Sequence, residues 1–588
     1  MLLEHITSPA DVKQLAPHDL PVLCREIRQA ILTSSAAVGG HVGSNLGTVE
    51  LTVALHRVFD SPHDKLVFDV SHQTYTHKML TGRAPYYLQP ELFGTLSGFS
   101  NPAESEHDLF SMGHTSTSVS LAAGLAKARD LAGDDYNVVA VIGDGSLSGG
   151  LAFEGLDSLA ELGTNVIVII NDNGWSIAEN HGGIYRNLAA LRENGGKAPD
   201  NFFRALGLDY RFIADGNDEA VLERELLAVR DIDHPVVLHV CTVKGEGYEA
   251  ALDDAENWHH VGPFDQANPD SKAQNNVSPA TYADLTGRHL LERMSEDRNV
   301  VAISAATPYI MGFDAKRRQA AGLQFIDVGI AEEHAVTLTT GLATAGAKPV
   351  LGLYGVFMQR AYDELWHDLC LNDACATILD FSASAFGATD ATHLGFFDLA
   401  LMGGLPNLSC LAPTCQEEYL AMLDWALDAP HGPVVIRVPA GTPSSHPERI
   451  TGSMDFAQPT YQTVRTGSGL AILALGNFLE LGERVADALA ARGVHATVIN
   501  PRFATELDTN ALDGLGRAHR AVITLEDGVL AGGWGEKVAR YLAPTNLRIR
   551  CYGYPKAFPD RVKPLDLLRS CGITVTDIVR DALELLER

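Results

Sequence analysis

Short apolar runs alternate with longer helical stretches along the whole chain, and this alternation restricts the fold more than any other feature. Runs such as 137–142 and 165–170 have the length and apolar composition of buried strands, and the stretches that separate them have helical patterning. Strands joined through helices pair in parallel, because parallel pairing needs a crossover long enough to contain a helix. The sequence therefore predicts an α/β fold with mainly parallel sheets.

Two polar segments divide the chain into three blocks. The segments 265–279 and 441–448 are rich in Pro, Ser and other polar residues, a composition typical of linkers. A chain of 588 residues is also too long for one hydrophobic core. We expect three domains, with the boundaries 1–275, 276–445 and 446–588.

The charge balance excludes two classes of partner. The chain has 44 Lys and Arg against 74 Asp and Glu, a formal net charge of −30. Non-specific nucleic-acid binding and docking on an anionic membrane both need clustered cations, so neither partner is expected. An anionic small-molecule substrate remains possible, because a bound metal or a few local cations can reverse the field in a cleft.

Membrane and secretion signals are not evident in the sequence. No stretch approaches the roughly 18 apolar residues that a membrane span needs, and the first residues lack the pattern of a secretion signal. The eight cysteines include no Cys-x-x-Cys pair, which favours buried thiols over a disulfide scaffold or a zinc cluster. We expect a cytoplasmic protein.

Two short polar motifs follow neighbouring predicted strands. Gly143-Asp144-Gly145 ends one strand, a helix is predicted over 151–162, and Asn171-Asp172-Asn173 ends the next strand. Both motifs should therefore lie at the carboxyl edge of one parallel sheet, where α/β folds bind ligands. A carboxylate and an amide oxygen suit Mg²⁺, and glycines beside a helix N-terminus suit a diphosphate. The alternative is two unrelated turns.

This pair of motifs resembles the cofactor motif of thiamine diphosphate enzymes, and the chain as a whole resembles the 1-deoxy-D-xylulose-5-phosphate synthase family of the transketolase superfamily. The resemblance implies three doubly wound domains: a diphosphate-binding domain, a pyrimidine-binding domain and a C-terminal transketolase-like domain. The similar segments run in order along the chain, at 39–56, 68–83, 113–118, 244–248, 258–264, 327–335, 357–363, 500–503 and 526–535.

The resemblance implies two cofactors, thiamine diphosphate and Mg²⁺. The implied metal ligands are Asp144, Asn173 and the main-chain carbonyl of Trp175. The remaining cofactor contacts that it implies are Gly143, Gly145, Ser146, Asn171, His114, Ser116, Lys244 and Phe357, the last of which would stack on the pyrimidine ring.

Five residues are implied to be catalytic. Glu332 would contact N1′ of the aminopyrimidine, where a carboxyl group in a dry pocket keeps or shares its proton. The alternative for Glu332 is a favourable charge at a helix N-terminus. Imidazoles with a near-neutral pKa can move protons on the substrate oxygens, and the implied histidines are His41, His72, His259 and His393. His260, beside His259, has no assigned role.

The substrate side departs from the family pattern. Tyr354 and Arg360 match the donor side, where Arg360 can hold a carboxylate. The two family arginines that bind the phosphate of glyceraldehyde 3-phosphate are replaced by Ser382 and Ala440, and Asp390 is shifted by one position. Loss of two Arg–phosphate contacts, at about 1.5–3 kcal/mol each, would weaken acceptor binding by roughly 10²–10⁴-fold. We expect an unphosphorylated acceptor, or a phosphorylated one held elsewhere.

The sequence thus predicts a transferase of the transketolase class that decarboxylates pyruvate and adds the two-carbon unit to an aldehyde. The alternatives are ketol transfer without decarboxylation, a genuine 1-deoxy-D-xylulose-5-phosphate synthase with a rearranged phosphate site, and a non-catalytic cofactor-binding relative. The family also implies a homodimer, in which the cofactor is bound within one chain or shared by two.

Overall fold

The computed structural model describes residues 1–269, 281–429, 432–450 and 454–587, which form two compact units. The first unit consists of residues 1–269 together with Val328–Ala331, and the second of residues 281–327 and 332–587. The expected boundary at 275/276 lies outside the described residues. The division into three domains stays a prediction.

The first unit is built on a five-stranded sheet in the order β1-β2-β3-β5-β4, in which every pair is parallel. Its strands are β1 (Lys65–Phe68), β2 (Val138–Gly143), β3 (Ile167–Asp172), β4 (Asp209–Ile213) and β5 (Val236–Cys241). Its α-helices are Pro9–Gln14, Leu20–Val38, Gly43–Gly47, Val49–Val58, Tyr75–Lys78, Pro85–Leu88, Ser118–Ala132, Gly150–Glu161, Gly183–Glu193, Phe202–Ala205, Glu219–Leu227 and Glu249–Asp253. Shorter turns of helix are Leu3–His5, Pro17–Asp19, Met79–Arg83, Pro90–Leu92 and Asp144–Ser148.

The second unit contains two sheets. The six-stranded sheet has the order β10-β11-β9-β8-β6-β7 and only parallel pairs. In the five-stranded sheet, of order β12-β14-β13-β15-β16, β12 is antiparallel to β14 and the other pairs are parallel. The strands are β6 (Val300–Ser304), β7 (Phe325–Asp327), β8 (Lys348–Tyr354), β9 (Thr377–Phe381), β10 (Ser409–Leu411), β11 (Val434–Val438), β12 (Gln462–Arg465), β13 (Gly469–Ala474), β14 (Thr497–Asn500), β15 (His519–Val529) and β16 (Arg548–Tyr554).

Helices pack on the sheets of the second unit as well. Its α-helices are Tyr282–Glu296, Ala315–Ala321, Glu332–Thr344, Gly355–Met358, Tyr362–Glu364, Asp398–Met402, Gln416–Asp428, Leu479–Ala490, Thr509–Leu515, Trp534–Leu542, Pro564–Ser570 and Val575–Glu587. Shorter turns of helix are Pro308–Met311, Gly322–Gln324, Gln359–Ala361, Leu365–Cys370, Gly395–Phe397, Pro447–Arg449 and Gly476–Phe478.

The predicted α/β class with mainly parallel sheets is confirmed. Strands such as β3 are buried along their whole length, because helices cover both faces of each parallel sheet. Burial on both faces explains why these strands appear in the sequence as unbroken apolar runs. The helix predicted over 151–162 is Gly150–Glu161, and Gly163 follows it with a φ of +67°.

In the described part of the chain, no helix combines the length and the apolar character that crossing a bilayer requires. None of the eight cysteines forms a disulfide bond.

A buried arginine joins the two sheets of the second unit. Arg437 on β11 donates from Nε to Asp398 Oδ2 at 2.5 Å and from Nη2 to the main-chain carbonyl of Asp527 on β15 at 2.5 Å. The Asp527 carboxylate in turn accepts from Ser384 Oγ at 2.6 Å and from Tyr554 Oη at 2.8 Å. This network holds the segment after β9 against the five-stranded sheet. The guanidinium of Arg437 is therefore already engaged in structural hydrogen bonds.

Removal of the Arg437 charge is expected to destabilise the second unit strongly. Arg437→Met leaves Asp398 buried without its counter-ion, which should cost about 3–5 kcal/mol. The measurement is the shift of the urea midpoint for the transition that includes this unit. The control is Arg580→Met, since Arg580 is 58% exposed beside Asp577 and its loss should leave the midpoint near that of the wild type. Equal shifts for the two variants would contradict a structural role for the buried pair.

Candidate active site

The two polar motifs of the first unit lie side by side at the carboxyl edge of its sheet. Gly143 at the end of β2 is paired with Asn171 on β3, so Asp144 and Asn173 both emerge at this edge. The Asp144 carboxylate is buried and accepts from the main-chain N–H of Gly174 at 3.0 Å and from Asn180 Nδ2 at 2.7 Å. Asn180 was not identified from the sequence, since it lies in an irregular segment beyond the motif.

This edge carries an uncompensated buried carboxylate. Burial, and then the negative charge of Asp172, raise the pKa of Asp144 to about 8. Asp172 itself is paired: His239 Nε2 lies 2.7 Å from its Oδ2, and Arg192 contacts its Oδ1. These partners hold the pKa of Asp172 below its ordinary value although burial opposes them. A divalent cation beside Asp144 would supply the missing positive charge, so these residues fit Mg²⁺.

A tight turn follows Asp144 and is closed by contacts from distant segments. A Cβ on Gly145 would lie 2.7 Å from the Cβ of Ser176, so this position needs glycine. Ser116 Oγ donates to the carbonyl of Ser146 at 2.8 Å, and Lys244 Nζ donates to the carbonyl of Ser176 at 2.7 Å. Burial lowers the pKa of Lys244 to about 8. The structure thus brings four predicted cofactor contacts to one turn.

Two further side chains support this turn and were not identified from the sequence. Tyr185 Oη donates to the carbonyl of Gly145 at 3.1 Å. The buried Asp69 carboxylate accepts from the main-chain N–H groups of Ser116 at 2.8 Å and Ser118 at 2.9 Å. These bonds hold the segment of His114 and Ser116 beside the sheet edge. Neither Tyr185 nor Asp69 stands in a local pattern that signals this contact.

Four imidazoles of the first unit form one cluster. The main chain of Gly40 pairs with that of Val261, which places His41 beside His259 and His260. The His41 ring centroid lies 4.6 Å from that of His260, 5.6 Å from His259 and 5.1 Å from His72. Burial keeps the pKa of His259 well below its ordinary value and lowers that of His260. Burial therefore favours the neutral form of both imidazoles.

The Asn45 side chain holds the main chain of two residues of the imidazole cluster. Its Nδ2 donates to the carbonyls of both His41 and His72, each at 2.7 Å, and its Oδ1 accepts from the main-chain N–H of Tyr75 at 2.9 Å. One fully buried amide therefore fixes the main-chain positions of two predicted histidines relative to each other. His260, which had no role assigned from the sequence, is the nearest to His41 of the three neighbouring rings.

Glu332 of the second unit is a buried carboxyl group at the start of the helix Glu332–Thr344. Its side chain is 3% exposed, and within the described residues its Oε2 has no hydrogen-bond partner. Arg360 Nη1 lies 3.5 Å from that oxygen. Burial raises the pKa of Glu332, and Arg360 opposes this only in part. A buried oxygen of this kind fits the contact with a ring nitrogen that the aminopyrimidine of thiamine diphosphate would offer.

An aromatic group of the second unit contains three of the predicted residues. The Phe357 ring lies 5.7 Å from that of Tyr354 and 5.8 Å from that of His393, both edge to face. Tyr354 Oη donates to Tyr309 Oη at 3.1 Å, a partner that was not identified from the sequence. The predicted stacking and donor residues are therefore neighbours.

The acceptor-side residues have local partners. Asp390 Oδ1 accepts from Thr392 N–H at 3.0 Å and from Thr392 Oγ1 at 2.7 Å, and Thr392 Oγ1 lies 2.8 Å from His393 Nδ1. The carboxylate of Asp390 thus orders the turn that carries His393. Ser382 directly follows β9 with a φ of +57°, and its carbonyl accepts from Ser384 N–H at 2.8 Å. The roles predicted for all these residues stay predictions.

Models of known protein families match most of the chain. A family model described as 1-deoxy-D-xylulose-5-phosphate synthase matches residues 3–198, the transketolase pyrimidine-binding domain matches 278–442, and the transketolase C-terminal domain matches 460–578. Among solved structures, the transketolase of Campylobacter jejuni aligns over 97% of this chain and 99% of its own, with 17% identity and a TM-score of 0.43, and this likeness adds nothing to the assignment.

Curated relatives match over their full length. The 1-deoxy-D-xylulose-5-phosphate synthase of Pelotomaculum thermopropionicum is 38% identical over 99% of this chain and 97% of its own. That of Symbiobacterium thermophilum is 39% identical over 100% of this chain and 95% of its own. With the sheet edge at Asp144 and the buried carboxyl of Glu332 in place, the chain belongs to the 1-deoxy-D-xylulose-5-phosphate synthase family.

Proposed function

We propose that this protein is a transferase that uses thiamine diphosphate and Mg²⁺, decarboxylates pyruvate and joins the two-carbon unit to an aldehyde. Membership of the family supports this proposal. The observation that carries it is Glu332, a buried carboxyl group with a raised pKa and an oxygen that no described residue hydrogen-bonds. A structural helix-capping glutamate would gain from ionisation, whereas burial of Glu332 favours the protonated form of its carboxyl group.

The residues that would hold the cofactors follow from the site. Asp144, Asn173 and the main-chain carbonyl of Trp175 would bind Mg²⁺. The diphosphate would be bound by the segments of Gly143, Gly145, Ser146, Asn171, His114, Ser116 and Lys244, and the pyrimidine by Phe357 and Glu332. When bound, thiamine diphosphate supplies a carbon nucleophile and an electron sink for decarboxylation.

The protein's own side chains would orient the substrates and move protons. Arg360 carries a charge beside Glu332 and can bind the carboxylate of pyruvate through charge-assisted hydrogen bonds. Tyr354 would position the donor. The imidazoles of His41, His72 and His259 can accept a proton from a substrate hydroxyl and return it to a carbonyl oxygen. His393, held by Thr392, would act in the same way on the acceptor.

The acceptor is proposed to differ from glyceraldehyde 3-phosphate. Ser382 and Ala440 stand where the family pattern has arginines. Arg437, near Ala440 in the sequence, does not replace them, because its guanidinium is buried against Asp398. An unphosphorylated aldehyde, or a phosphorylated one held by other groups, fits this arrangement.

We also propose a homodimer in the cytoplasm. Large apolar side chains remain exposed in the second unit, including Trp366 at 53% and Leu371 at 68%. Where such side chains form a contiguous patch, they commonly mark a protein interface. Eight cysteines without a disulfide bond fit a reducing compartment.

Substitution of Glu332 should abolish cofactor-dependent chemistry. Glu332→Gln removes the acidic proton while keeping the shape, so the rate of carbon dioxide release from labelled pyruvate should fall by roughly 10²–10⁴-fold. The matched control is Glu333→Gln, the next residue of the same helix, which should stay near the wild-type rate. Unchanged release in Glu332→Gln would overturn the proposed function. If the wild-type protein forms product from a ketose donor and releases no carbon dioxide, the activity is ketol transfer instead.

Restored arginines should shift acceptor preference toward phosphate. In the variant Ser382→Arg with Ala440→Arg, kcat/KM for glyceraldehyde 3-phosphate relative to glyceraldehyde should rise at least about 10-fold, since one Arg–phosphate contact is worth about 1.5–3 kcal/mol. Mass spectrometry of products from labelled pyruvate and each aldehyde measures the ratio. A wild-type protein with a micromolar KM for glyceraldehyde 3-phosphate and no better acceptor would contradict the altered specificity.

The mass of the protein in solution tests the proposed homodimer directly. Sedimentation equilibrium should give twice the 63.1 kDa mass of one chain. A mass of one chain at micromolar concentration would exclude the proposed homodimer.

A further inference from the structure

A long segment without helix or strand links the two functional clusters of the first unit. Residues 93–117, here called the 93–117 loop, run from the turn Pro90–Leu92 to the helix Ser118–Ala132. Near its start, the Phe99 ring lies 5.6 Å from that of His41. Near its end, Ser116 Oγ donates to the carbonyl of Ser146 in the turn after Asp144. The loop therefore contacts both the imidazole cluster and the glycine turn.

Such a loop needs anchors to hold one conformation. Fixing the backbone of each residue costs about 1–2 kcal/mol of conformational entropy, and no regular hydrogen-bond ladder offsets that cost here. The first anchor is Lys78, which is fully buried and donates from Nζ to Glu104 Oε2 at 2.6 Å. The other oxygen of Glu104 accepts from the main-chain N–H of Ser97 at 2.7 Å. One ion pair thus fixes two points of the loop.

The second anchor is a two-pronged ion pair. Arg83 donates from Nη1 to Asp108 Oδ2 and from Nη2 to Asp108 Oδ1, both at 2.8 Å. Asp108 also lies 3.2 Å from His77 Nε2 and accepts from the main-chain N–H of Asn101 at 2.9 Å. Arg83 is 5% exposed and Asp108 is 3% exposed. The four contacts converge on one carboxylate of the loop.

Local backbone geometry directs the Arg83 side chain toward the loop. The helix Tyr75–Lys78 continues into Met79–Arg83, but Thr81 and Gly82 leave the helical conformation, and Gly82 has a φ of +89°. A Cβ on Gly82 would lie 2.9 Å from the carbonyl of Thr7. This break turns Arg83 so that its Nη2 also donates to Thr81 Oγ1 at 2.8 Å.

Buried ion pairs of this kind are better suited to specifying a conformation than to raising stability. Desolvation of two charges offsets most of their attraction, and apolar residues of similar volume are often as stable. The location of the two ion pairs matters here. Both anions, Glu104 and Asp108, belong to the 93–117 loop, whereas both cations, Lys78 and Arg83, belong to the consecutive helical segments Tyr75–Lys78 and Met79–Arg83. The anions in turn accept from main-chain N–H groups of the loop itself, so the pairs act on the two functional clusters through the loop.

We propose that Lys78–Glu104 and Arg83–Asp108 are positioning pairs, which hold the 93–117 loop so that Phe99 stays beside His41 and Ser116 stays on the turn after Asp144. The consequence for catalysis rests on the proposed function. The consequence for loop order does not, and it can be measured without cofactor or substrate.

The first test measures amide hydrogen exchange in the cofactor-free protein. Lys78→Met should raise the exchange rate by at least about 10-fold at Ser97, whose N–H donates to Glu104, and at Glu104 itself, whose N–H donates to the carbonyl of Asn101. The matched control is Arg129→Met, because Arg129 is also a buried cation of this unit, at 4% exposed, and it bonds Tyr136 and Thr164 outside the loop. The control should leave exchange in the loop unchanged. Wild-type exchange at these amides in Lys78→Met would overturn the proposal.

A double variant separates positioning from stability. Lys78→Met combined with Glu104→Gln leaves no charge of this pair buried alone, so its thermal midpoint should lie closer to that of the wild type than the midpoint of Lys78→Met. Exchange in the loop should nevertheless remain at least about 10-fold faster than in the wild type. Slow exchange in this well-folded variant would show that the loop does not depend on the ion pair.

The activity measurement completes the test. In the double variant, kcat/KM for carbon dioxide release from pyruvate should fall at least about 10-fold below that of Arg129→Met. Fast loop exchange with activity equal to the control would refute positioning. If the wild type releases no carbon dioxide with thiamine diphosphate and Mg²⁺, the proposed function fails, while the exchange data still decide whether the pairs order the loop.

Discussion

The pairing of β2 with β3 is the constraint on which the first functional cluster depends. Because Gly143 lies opposite Asn171 in a parallel ladder, two motifs far apart in the sequence end at the same edge. Burial of Asp144 at that edge then creates a carboxylate with a raised pKa and a need for positive charge. Hydrogen bonds from Tyr185 and Ser116 hold the turn after Asp144, but they do not neutralise the charge of the Asp144 carboxylate.

The sequence predicted the long buried strands well and the short ones poorly. The run 137–142 differs from β2 by one residue at each end, because a strand covered on both faces must be apolar throughout. Strands β7 and β10, of three residues each, are too short to carry a pattern. Strand β15 continues past its apolar stretch to Val529, and hydrogen bonds from Ser384 and Tyr554 satisfy the polar Asp527 inside it.

Site residues were predictable where a motif carries them and not where the tertiary fold assembles them. Asp144 and Asn173 stand in a recognisable spacing, and the structure brings them to one edge. Asn180 reaches Asp144 from an irregular segment, and no local pattern signals that contact. The position of His260 beside His41 depends on pairing of Gly40 with Val261, which is a contact between distant parts of the chain.

The distribution of buried cations bears on acceptor choice more directly than the net charge of −30 does. In the second unit, Arg437 is held by Asp398, and Arg360 lies beside Glu332, where a donor carboxylate would need it. Releasing Arg437 for a phosphate would leave Asp398 buried without a counter-ion, and this cost is at least as large as the free energy of one Arg–phosphate interaction. Moving this neighbouring arginine would therefore not compensate for Ser382 and Ala440. On the proposed function, other groups would recognise the aldehyde acceptor.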